Sequence, residues 1–421
     1  MKLEKQKSWF EDKRRQNLEE TVAQIRPVIH EVRDEGVSAV RKYTEKFDGV
    51  EIEDFEVEDN EKEEAIDSLS EEEKMSIRNS IERIEDFHRG QKPEGWSRDF
   101  EAGFTAGEKA VPVDAAGCYV PGGRYPLPSS ALMTVIPAKI AGVEQVVVCT
   151  PPDENGDVNP YTVAAAEMAG ADRIYKIGGA QALAALAYGA GDVPEVEKIV
   201  GPGNRYVTAA KKILYGDVGI DFLAGPSEVL IVSDGSNPEL VAADMLAQAE
   251  HDTDSSAVLV TMEEDEVGRV EDELESQLED LPTSNTAREA LEQNGAIFLA
   301  EDRQEAMEIA NRHSPEHLEL MLEDPEDAVD KVRNAGTVFV GSRSVEALGD
   351  YTTGTNHVLP TGGAARYRGG LSVRDFVKMI AWERQTPESL KQIGQDATNM
   401  AEIESLPAHR RSVEKRMGGT R

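Results

Sequence analysis

Between residues 111 and 232, short runs rich in β-branched residues alternate with alanine-rich segments of helical length. The apolar runs lie at 145–149, 173–177, 198–200 and 229–233. A strand followed by a helix and then by another strand is typical of a doubly wound parallel sheet, because parallel neighbours need a crossover connection. This alternation restricts the middle of the chain to an α/β fold.

A second alternation follows the first. The sequence predicts a helix at 238–250, a strand at 256–261, an acidic helix at 264–278 and strands near 296–299 and 337–340. We therefore expect two doubly wound, Rossmann-like domains. Residues 1–110 are predicted to be mainly helical, and a helical tail is predicted from about residue 373.

The charge of the chain limits its partners. The 421 residues include 45 Lys+Arg against 81 Asp+Glu, which gives a formal net charge of −36. Nucleic acid is excluded as a partner, because binding it requires a cationic face. The acidic excess suits a high-salt cytosol, where a Debye length of about 3 Å screens self-repulsion. We therefore expect solvated acidic faces at 51–63 and 263–280 and a protein of a halophilic type.

Neither a membrane location nor a disulfide framework is expected. No apolar run reaches the roughly 20 residues of a membrane span, and no apolar signal segment follows the N-terminus, so we expect a cytoplasmic protein. Two cysteines, Cys118 and Cys149, are too few for a disulfide framework or a cysteine-rich metal site. We expect both to be small structural hydrophobes, and any metal must be held by His and oxygen ligands.

Three glycine-rich turns follow apolar runs in the first alternation. The turn Gly201-Pro-Gly-Asn204 precedes a helical segment, and glycine there lets the backbone approach a pyrophosphate. Its fingerprint is incomplete, because Tyr206 stands where the third glycine of G-x-G-x-x-G belongs. Similar turns occur at 120–123 and 177–181. The three turns fit a dinucleotide site or plain turns, and the residues alone leave both open.

Two spacings are compatible with a metal site. His251 follows Gln248 by three residues at the end of a predicted helix, so both side chains can reach one ion. His357 lies in a loop and follows Asp350 by seven residues. Capping and turn contacts would explain the same residues, and spacing alone favours them over a metal.

An acid and an imidazole, Glu316 and His317, stand side by side after a proline turn. Each is able to act as a base, since histidine titrates near neutrality and burial raises the pKa of a glutamate towards it. The alternative is a helix-start cap with a surface histidine. His30 and His88 lie in charged N-terminal helices and are predicted to be surface residues.

Six motifs of the chain resemble those of the histidinol dehydrogenase family in order and in spacing. They are Gly201-Pro-Gly-Asn204, Ala224-Gly-Pro-Ser-Glu-Val-Leu230, Gln248-Ala-Glu-His251, Ser314-Pro-Glu-His-Leu-Glu319, Gly349-Asp-Tyr351 with Gly354-Thr-Asn-His-Val-Leu-Pro360, and Leu406-Pro-Ala-His409. The resemblance covers nearly the whole chain and is weakest in the first hundred residues.

The resemblance implies an enzyme that oxidises L-histidinol to L-histidine with two NAD and a zinc ion, in the last steps of histidine biosynthesis. The zinc ligands that it implies are Gln248, His251, Asp350 and His409. Two imidazoles with an amide and a carboxylate oxygen are a reasonable donor set for zinc.

The resemblance also implies roles for the bases and contacts for substrate and NAD. It makes His317 the base that takes the alcohol proton and Glu316 the base that activates water on the aldehyde. The implied substrate contacts are Ser227, Gln248, His251, His317, Asp350, His357, Glu404 and His409. The implied NAD contacts are Tyr119, Gln181 and Asn204.

The architecture implied by the resemblance is a homodimer with shared active sites. It comprises an N-terminal arm (1–20), a discontinuous first Rossmann-like domain (21–118 with 227–371), an inserted second domain that holds NAD (119–226), and a helical tail (372–421) that crosses to the partner subunit.

Two other functions are alternatives to this one. The first is an NAD-dependent dehydrogenase of another amino alcohol, since a fold fixes no substrate, and the second is a non-catalytic zinc- and dinucleotide-binding relative. Glu404 and His409 disfavour the first, because they fit the amine and imidazole of histidinol. Intact Glu316 and His317 disfavour the second.

Overall fold

The computed structural model describes residues 2–3, 18–100, 103–122, 125–235 and 237–418. The strands are β1 (Lys2–Leu3), β2 (Trp96–Asp99), β3 (Thr105–Pro112), β4 (Ala115–Tyr119), β5 (Gln145–Thr150), β6 (Arg173–Lys176), β7 (Lys198–Val200), β8 (Gly219–Ile220), β9 (Glu228–Ser233), β10 (Ser256–Thr261), β11 (Ala296–Leu299), β12 (His317–Met321), β13 (Thr337–Val340) and β14 (Val377–Arg384). Most of the predicted arm at 1–20 lies outside the described residues, as does Gly123 of the predicted turn at 120–123.

Helices connect and cover these strands. They are α1 (Glu19–Glu35), α2 (Val37–Asp48), α3 (Asp59–Ser68), α4 (Glu71–Arg89), α5 (Pro128–Ala141), α6 (Pro160–Met168), α7 (Gly179–Tyr188), α8 (Arg205–Leu214), α9 (Pro238–Ala249), α10 (Glu264–Asp280), α11 (Ser284–Asn294), α12 (Arg303–His313), α13 (Glu326–Val329), α14 (Glu346–Tyr351), α15 (Pro387–Ile403) and α16 (Pro407–Met417). Among the residues that the structure describes, no helix is both long and apolar enough to cross a membrane.

The first predicted alternation forms a five-stranded parallel sheet in the order β6-β5-β4-β7-β8, except for its last run at 229–233, which is β9 and belongs to the other parallel sheet. Every residue of β4 is buried, as expected of a parallel strand whose two faces are both covered. Gly117 in β4 allows α7 to pack closely, since a Cβ atom there would lie 2.8 Å from Leu186 Cδ1. The small alanine side chains of α7 also allow this helix to lie close to the sheet.

The second alternation forms a six-stranded parallel sheet in the order β1-β11-β10-β9-β12-β13. Successive residues of β9 enter different cores: Val229 and Ile231 join one apolar cluster, whereas Leu230 and Val232 join another. Side chains alternate across a strand, so helices cover this sheet on both faces. The prediction of an α/β fold with parallel sheets is confirmed.

The chain divides into two compact units, residues 1–91 with 114–376 and residues 92–113 with 377–421. The second unit contains an antiparallel sheet in the order β14-β3-β2, together with α15 and α16. The prediction that residues 1–110 are mainly helical agrees with α1 to α4 but missed β2 and β3, and the predicted helical tail begins with a strand, β14. Strands β2 and β14 are largely exposed and β3 is mostly half-buried, so all three lack the apolar run by which the buried strands are recognised.

The predicted domain boundaries differ from the packing in one respect. Helices α1 and α2 belong to the predicted first domain, yet Val22, Ile29 and Tyr43 share one apolar core with Leu183 of α7. These helices thus cover the five-stranded sheet. The division into a discontinuous and an inserted domain stays a prediction.

His88 is not a surface residue, which corrects the prediction for it. Its side chain is fully buried. Nδ1 donates to the carbonyl of Ile84 at 2.8 Å, and Nε2 accepts from the amide of Asn356 at 3.3 Å. Because both ring nitrogens have partners, this histidine is a satisfied structural group. His30 is exposed, as predicted.

Candidate active site

Glu316 and His317 lie at the amino end of β12, where His317 stands opposite Val229 of the parallel strand β9. The helix-start cap considered for these residues is therefore wrong, because His317 begins a strand. Both side chains are buried. Their position is unusual, since ligands of open α/β sheets normally bind at the carboxyl ends of the strands.

Glu316 is a buried carboxyl group with defined hydrogen-bond donors. Its Oε2 atom accepts a hydrogen bond from the backbone N–H of Glu228 at 3.0 Å. Its carboxyl group also forms a hydrogen bond with the side chain of Ser227. Burial raises the pKa of Glu316 well above its usual value, against the opposing effect of the Glu228 N–H. A carboxyl group held in this way has its orientation fixed and binds a proton more readily than an exposed one.

His317 is an imidazole surrounded by carboxylates. Its Nδ1 atom lies 3.3 Å from Glu346 Oε1, and its Nε2 atom lies 3.9 Å from Asp350 Oδ1. Burial lowers the pKa of His317 to about 4, although Asp350 opposes this effect. The ring is therefore neutral at pH 7 and has a lone pair available for a proton.

A group of three side chains next to this pair has the geometry to hold a metal ion. Ligand atoms of His251, Glu346 and Asp350 all lie within 4.8 Å of one another. Gln248 is fully buried, and neither its Oε1 nor its Nε2 atom has a hydrogen-bond partner. A buried amide without partners is costly unless a ligand satisfies it, so this donor set fits a zinc ion.

Glu346 is the member of this group that sequence reasoning missed. It precedes Asp350 by four residues, and residues at that spacing share one face of a helix, here α14. Burial and the nearby carboxylates of Asp350 and Glu319 raise the pKa of Glu346 well above its usual value. A cation within the group would relieve that crowding of negative charge.

His357 and Ser227 lie near the same residues. His357 Nδ1 donates to the backbone carbonyl of Asp350 at 2.9 Å, and Nε2 lies 3.2 Å from the hydroxyl of Ser130. Because a carbonyl only accepts, the Nδ1 atom carries the proton and Nε2 accepts from Ser130. Ser227 immediately precedes β9, and its side chain forms a hydrogen bond with Glu316.

Glu404 and His409 belong to the second unit. Glu404 follows the last residue of α15, and His409 lies in the first turn of α16. Both side chains are exposed, and none of the residues of α16 is buried. The four implied zinc ligands are thus divided between the units, with Gln248, His251 and Asp350 in the first.

The three implied NAD contacts line one cavity of about 1000 Å³ in the first unit. Tyr119, Gln181 and Asn204 reach it from the carboxyl ends of strands in the five-stranded sheet, where nucleotides bind in doubly wound folds. Asn204 also caps α8, because its Oδ1 accepts from the N–H groups of Tyr206 and Val207 at 3.0 and 3.2 Å.

Gln181 supports the assignment of this cavity to a ligand. Its side chain is fully buried; Nε2 donates to Asp48 Oδ2 at 3.3 Å, while Oε1 has no hydrogen-bond partner. At the same edge, Gly201 has φ +120°, and a Cβ atom there would lie 2.0 Å from the carbonyl oxygen of Tyr119. The turn that ends at Asn204 therefore requires glycine at this position.

The comparisons with known proteins agree over most of the chain. The family model described as histidinol dehydrogenase matches residues 11–417. A histidinol dehydrogenase of Methanothermobacter thermautotrophicus is 46% identical over 96% of this chain and 96% of its own length. Another, of Haloarcula marismortui, is 47% identical over 93% of this chain and 92% of its own length.

A solved structure shows the same fold. The crystal structure of histidinol dehydrogenase from Elizabethkingia anophelis superimposes with a TM-score of 0.92 at 38% identity, covering 99% of this chain and 97% of that one. With the family model matched over nearly all its residues, the chain belongs to the histidinol dehydrogenase family, whose members are NAD- and zinc-dependent oxidoreductases that act on an alcohol.

Proposed function

We propose that the buried pair Glu316 and His317 performs the proton transfers in the oxidation of L-histidinol, through L-histidinal, to L-histidine. This assignment depends on one observation: the two bases lie next to side chains that have the geometry to hold a metal ion. His317 lies 3.9 Å from Asp350, and Asp350 shares its group with His251. Both bases are shielded from water, which strengthens their electrostatic interactions with a bound substrate.

Gln248, His251 and Asp350 would hold zinc together with His409. Zinc supplies a Lewis-acidic positive charge able to bind the imidazole and amine of histidinol. The unpartnered amide of Gln248 and the crowding of Glu346 and Asp350 support this site.

In the first half-reaction, His317 takes the proton of the alcohol at Nε2. The O–H bond breaks as the N–H bond forms, and the carbon transfers a hydride to NAD to give the aldehyde and NADH. The low pKa of about 4 that burial gives His317 keeps the ring neutral and able to accept this proton at neutral pH.

In the second half-reaction, Glu316 takes a proton from a water molecule as its oxygen adds to the aldehyde carbon. The resulting hydrate transfers a hydride to a second NAD, and the acid forms. The Glu228 N–H and the Ser227 hydroxyl keep the carboxylate of Glu316 oriented. Glu404 and His357 are proposed to contact the substrate, and Tyr119, Gln181 and Asn204 to contact NAD in the cavity that they line.

The active sites are proposed to be shared within a homodimer. The second unit exposes apolar side chains, with Met400 at 53% and Ile403 at 75% exposure, and no residue of α16 is fully buried. Exposed apolar side chains close together are typical of an interface, so a partner surface is expected to cover them. His409 on this helix would then complete the zinc site of the other subunit.

Stoichiometry tests the proposed function. The zinc-loaded protein should form two NADH for each L-histidinol consumed, and one for each L-histidinal. The matched control is His317→Asn, which should bind zinc but form NADH from histidinol about 10²–10⁴-fold more slowly. Production of a single NADH per histidinol, or none, would contradict the proposal. Another amino alcohol oxidised faster than histidinol would identify a different substrate.

A further inference from the structure

The ring of His317 lies between two carboxylates of one short helix. Glu346 Oε1 is 3.3 Å from Nδ1, and Asp350 Oδ1 is 3.9 Å from Nε2. Glu346 and Asp350 are the first and fifth residues of α14, so they project from one face, one turn apart. Each ring nitrogen therefore faces a different carboxylate of the same helix.

The strand that carries His317 also fixes the start of this helix. The backbone N–H of Glu346 donates to Glu319 Oε1 at 3.1 Å, and Glu319 is the third residue of β12. Residues two apart in a strand point to the same face, so His317 and Glu319 both face α14. Strand β12 therefore positions both the His317 ring and, through Glu319, the backbone of Glu346.

The other carboxylate near Nδ1 is less suitable as an acceptor. Glu316 Oε2 lies 3.9 Å from Nδ1 and already accepts from the Glu228 N–H at 3.0 Å. His317 Nδ1 and Glu346 Oε2 are both buried, and neither has a hydrogen-bond partner in the structure. Of the two carboxylates, Glu346 is therefore nearer to Nδ1 and has an oxygen atom that is still without a donor.

We propose that Glu346 is a positioning residue that accepts a hydrogen bond from Nδ1–H of His317 and so leaves the Nε2 lone pair free for the substrate proton. The inference rests on the proposed function, in which His317 is the base of the first half-reaction. When the alcohol O–H bond breaks and the Nε2–H bond forms, the Nδ1–H group keeps its hydrogen bond to Glu346 and the ring keeps its orientation. A carboxylate behind a catalytic histidine selects the reactive tautomer in the same way in other enzymes.

The competing role for Glu346 is that of a zinc ligand, since it lies within the group formed with His251 and Asp350. Zinc content separates the two roles. We expect Glu346→Gln to retain the zinc content of the wild type. Its KM for histidinol should stay within about twofold, and its kcat should fall about 10²–10⁴-fold. The loss should be smaller with histidinal, whose oxidation depends on Glu316. Loss of zinc from Glu346→Gln would overturn the proposal.

A double variant tests whether Glu346 acts through His317. In a His317→Asn background, adding Glu346→Gln should change kcat by less than about twofold, because the group that it orients is already absent. Losses that multiply would overturn the proposal. Glu346→Asp retains a carboxylate and should recover part of the activity; it also serves if Glu346→Gln fails to fold.

The tautomer of His317 is a readout that needs neither histidinol nor NAD. In zinc-loaded wild-type protein with ¹⁵N-labelled histidine, Nδ1 of His317 should carry the proton and Nε2 should not. The His317→Asn spectrum assigns the signals. Protonation at Nε2 instead would overturn the proposal. If the protein formed no NADH from histidinol, the proposed function would fail, while the tautomer and the zinc content would still decide the role of Glu346.

Discussion

The ammonium group of Lys211 lies 2.6 Å from a carboxylate oxygen of Asp221, and both side chains are almost completely buried. Lys211 Nζ also donates to the carbonyl of Gly201 at 2.5 Å, and the N–H of Gly201 donates to Asp221 Oδ2 at 2.8 Å. The ion pair therefore holds both polar backbone groups of Gly201. This residue opens the turn that ends at Asn204 in the proposed NAD cavity.

Lys211→Met should lower the free energy of unfolding by about 3–5 kcal/mol, because it leaves the carboxylate of Asp221 buried without a partner. Urea denaturation measures the change. The matched control is Lys212→Met, which removes the exposed pair with Glu19 at 2.8 Å and should cost less than about 1 kcal/mol. Equal effects of the two substitutions would contradict a special role for the buried pair.

Substitution of each of the two bases should affect the oxidation of a different substrate. His317→Asn should block oxidation of histidinol, whereas Glu316→Gln should spare the alcohol step and chiefly slow conversion of histidinal to histidine. A single base typically contributes about 10²–10⁴-fold to a rate. Initial rates of NADH formation with each substrate measure the division. Equal losses on both substrates in both variants would refute it.

Asp48 should make stability fall with rising pH. Burial raises its pKa from 3.8 to about 6, so between these values the unfolded chain has lost this proton while the folded chain retains it. The loss of folding stability caused by Asp48 is complete above about pH 6 and absent below pH 3.8. Asp48→Asn should therefore gain about 1 kcal/mol at pH 7, after allowance for solvent screening of a half-buried group. Denaturation at pH 4 and pH 7 should show a gain at pH 7 only.

Salt should control folding and assembly. With a net charge of −36, we expect loss of structure or of dimerisation below a few tenths molar salt, where the Debye length exceeds about 5 Å, and recovery near molar salt. Circular dichroism and sedimentation against salt concentration measure this. A melting temperature that is constant down to low ionic strength would contradict it.

Complementation should reveal shared sites. Gln248→Ala and His409→Ala proteins should each be nearly inactive. After subunit exchange, about half of the dimers are mixed, and each mixed dimer has one site with both substitutions and one with neither. Roughly a quarter of wild-type activity should therefore return. No recovery, with exchange confirmed independently, would show that His409 serves its own subunit.

The fold was predictable where strands are buried on both faces. The run 229–233 anticipated β9 to within one residue, because a strand covered on both faces is apolar along its length. Strands β3 and β14 carried no such signal. They pair antiparallel, with Ile380 opposite Lys109, although about 270 residues separate them in the chain. Pairing between partly exposed segments so far apart in the chain leaves no local pattern in the sequence.

The site was recoverable mainly through the motifs of the family. Spacing alone left Gln248 and His251 open between a metal and a helix end. The four-residue spacing of Glu346 and Asp350 was visible, but it has meaning only once 346–351 forms a helix facing β12. His88 was misjudged because its partner Asn356 lies 268 residues further along the chain.

The two native cysteine thiols are expected to be unreactive in the folded chain. Cys118 and Cys149 lie on neighbouring strands, both fully buried, and burial raises the pKa of Cys118 to about 12. Only the thiolate reacts with maleimides, so neither cysteine would be modified without unfolding. A single Lys415→Cys substitution at an exposed position of α16 would thus accept a spin label or fluorophore cleanly. The native cysteines would not need to be removed before distances between labels in the proposed homodimer are measured.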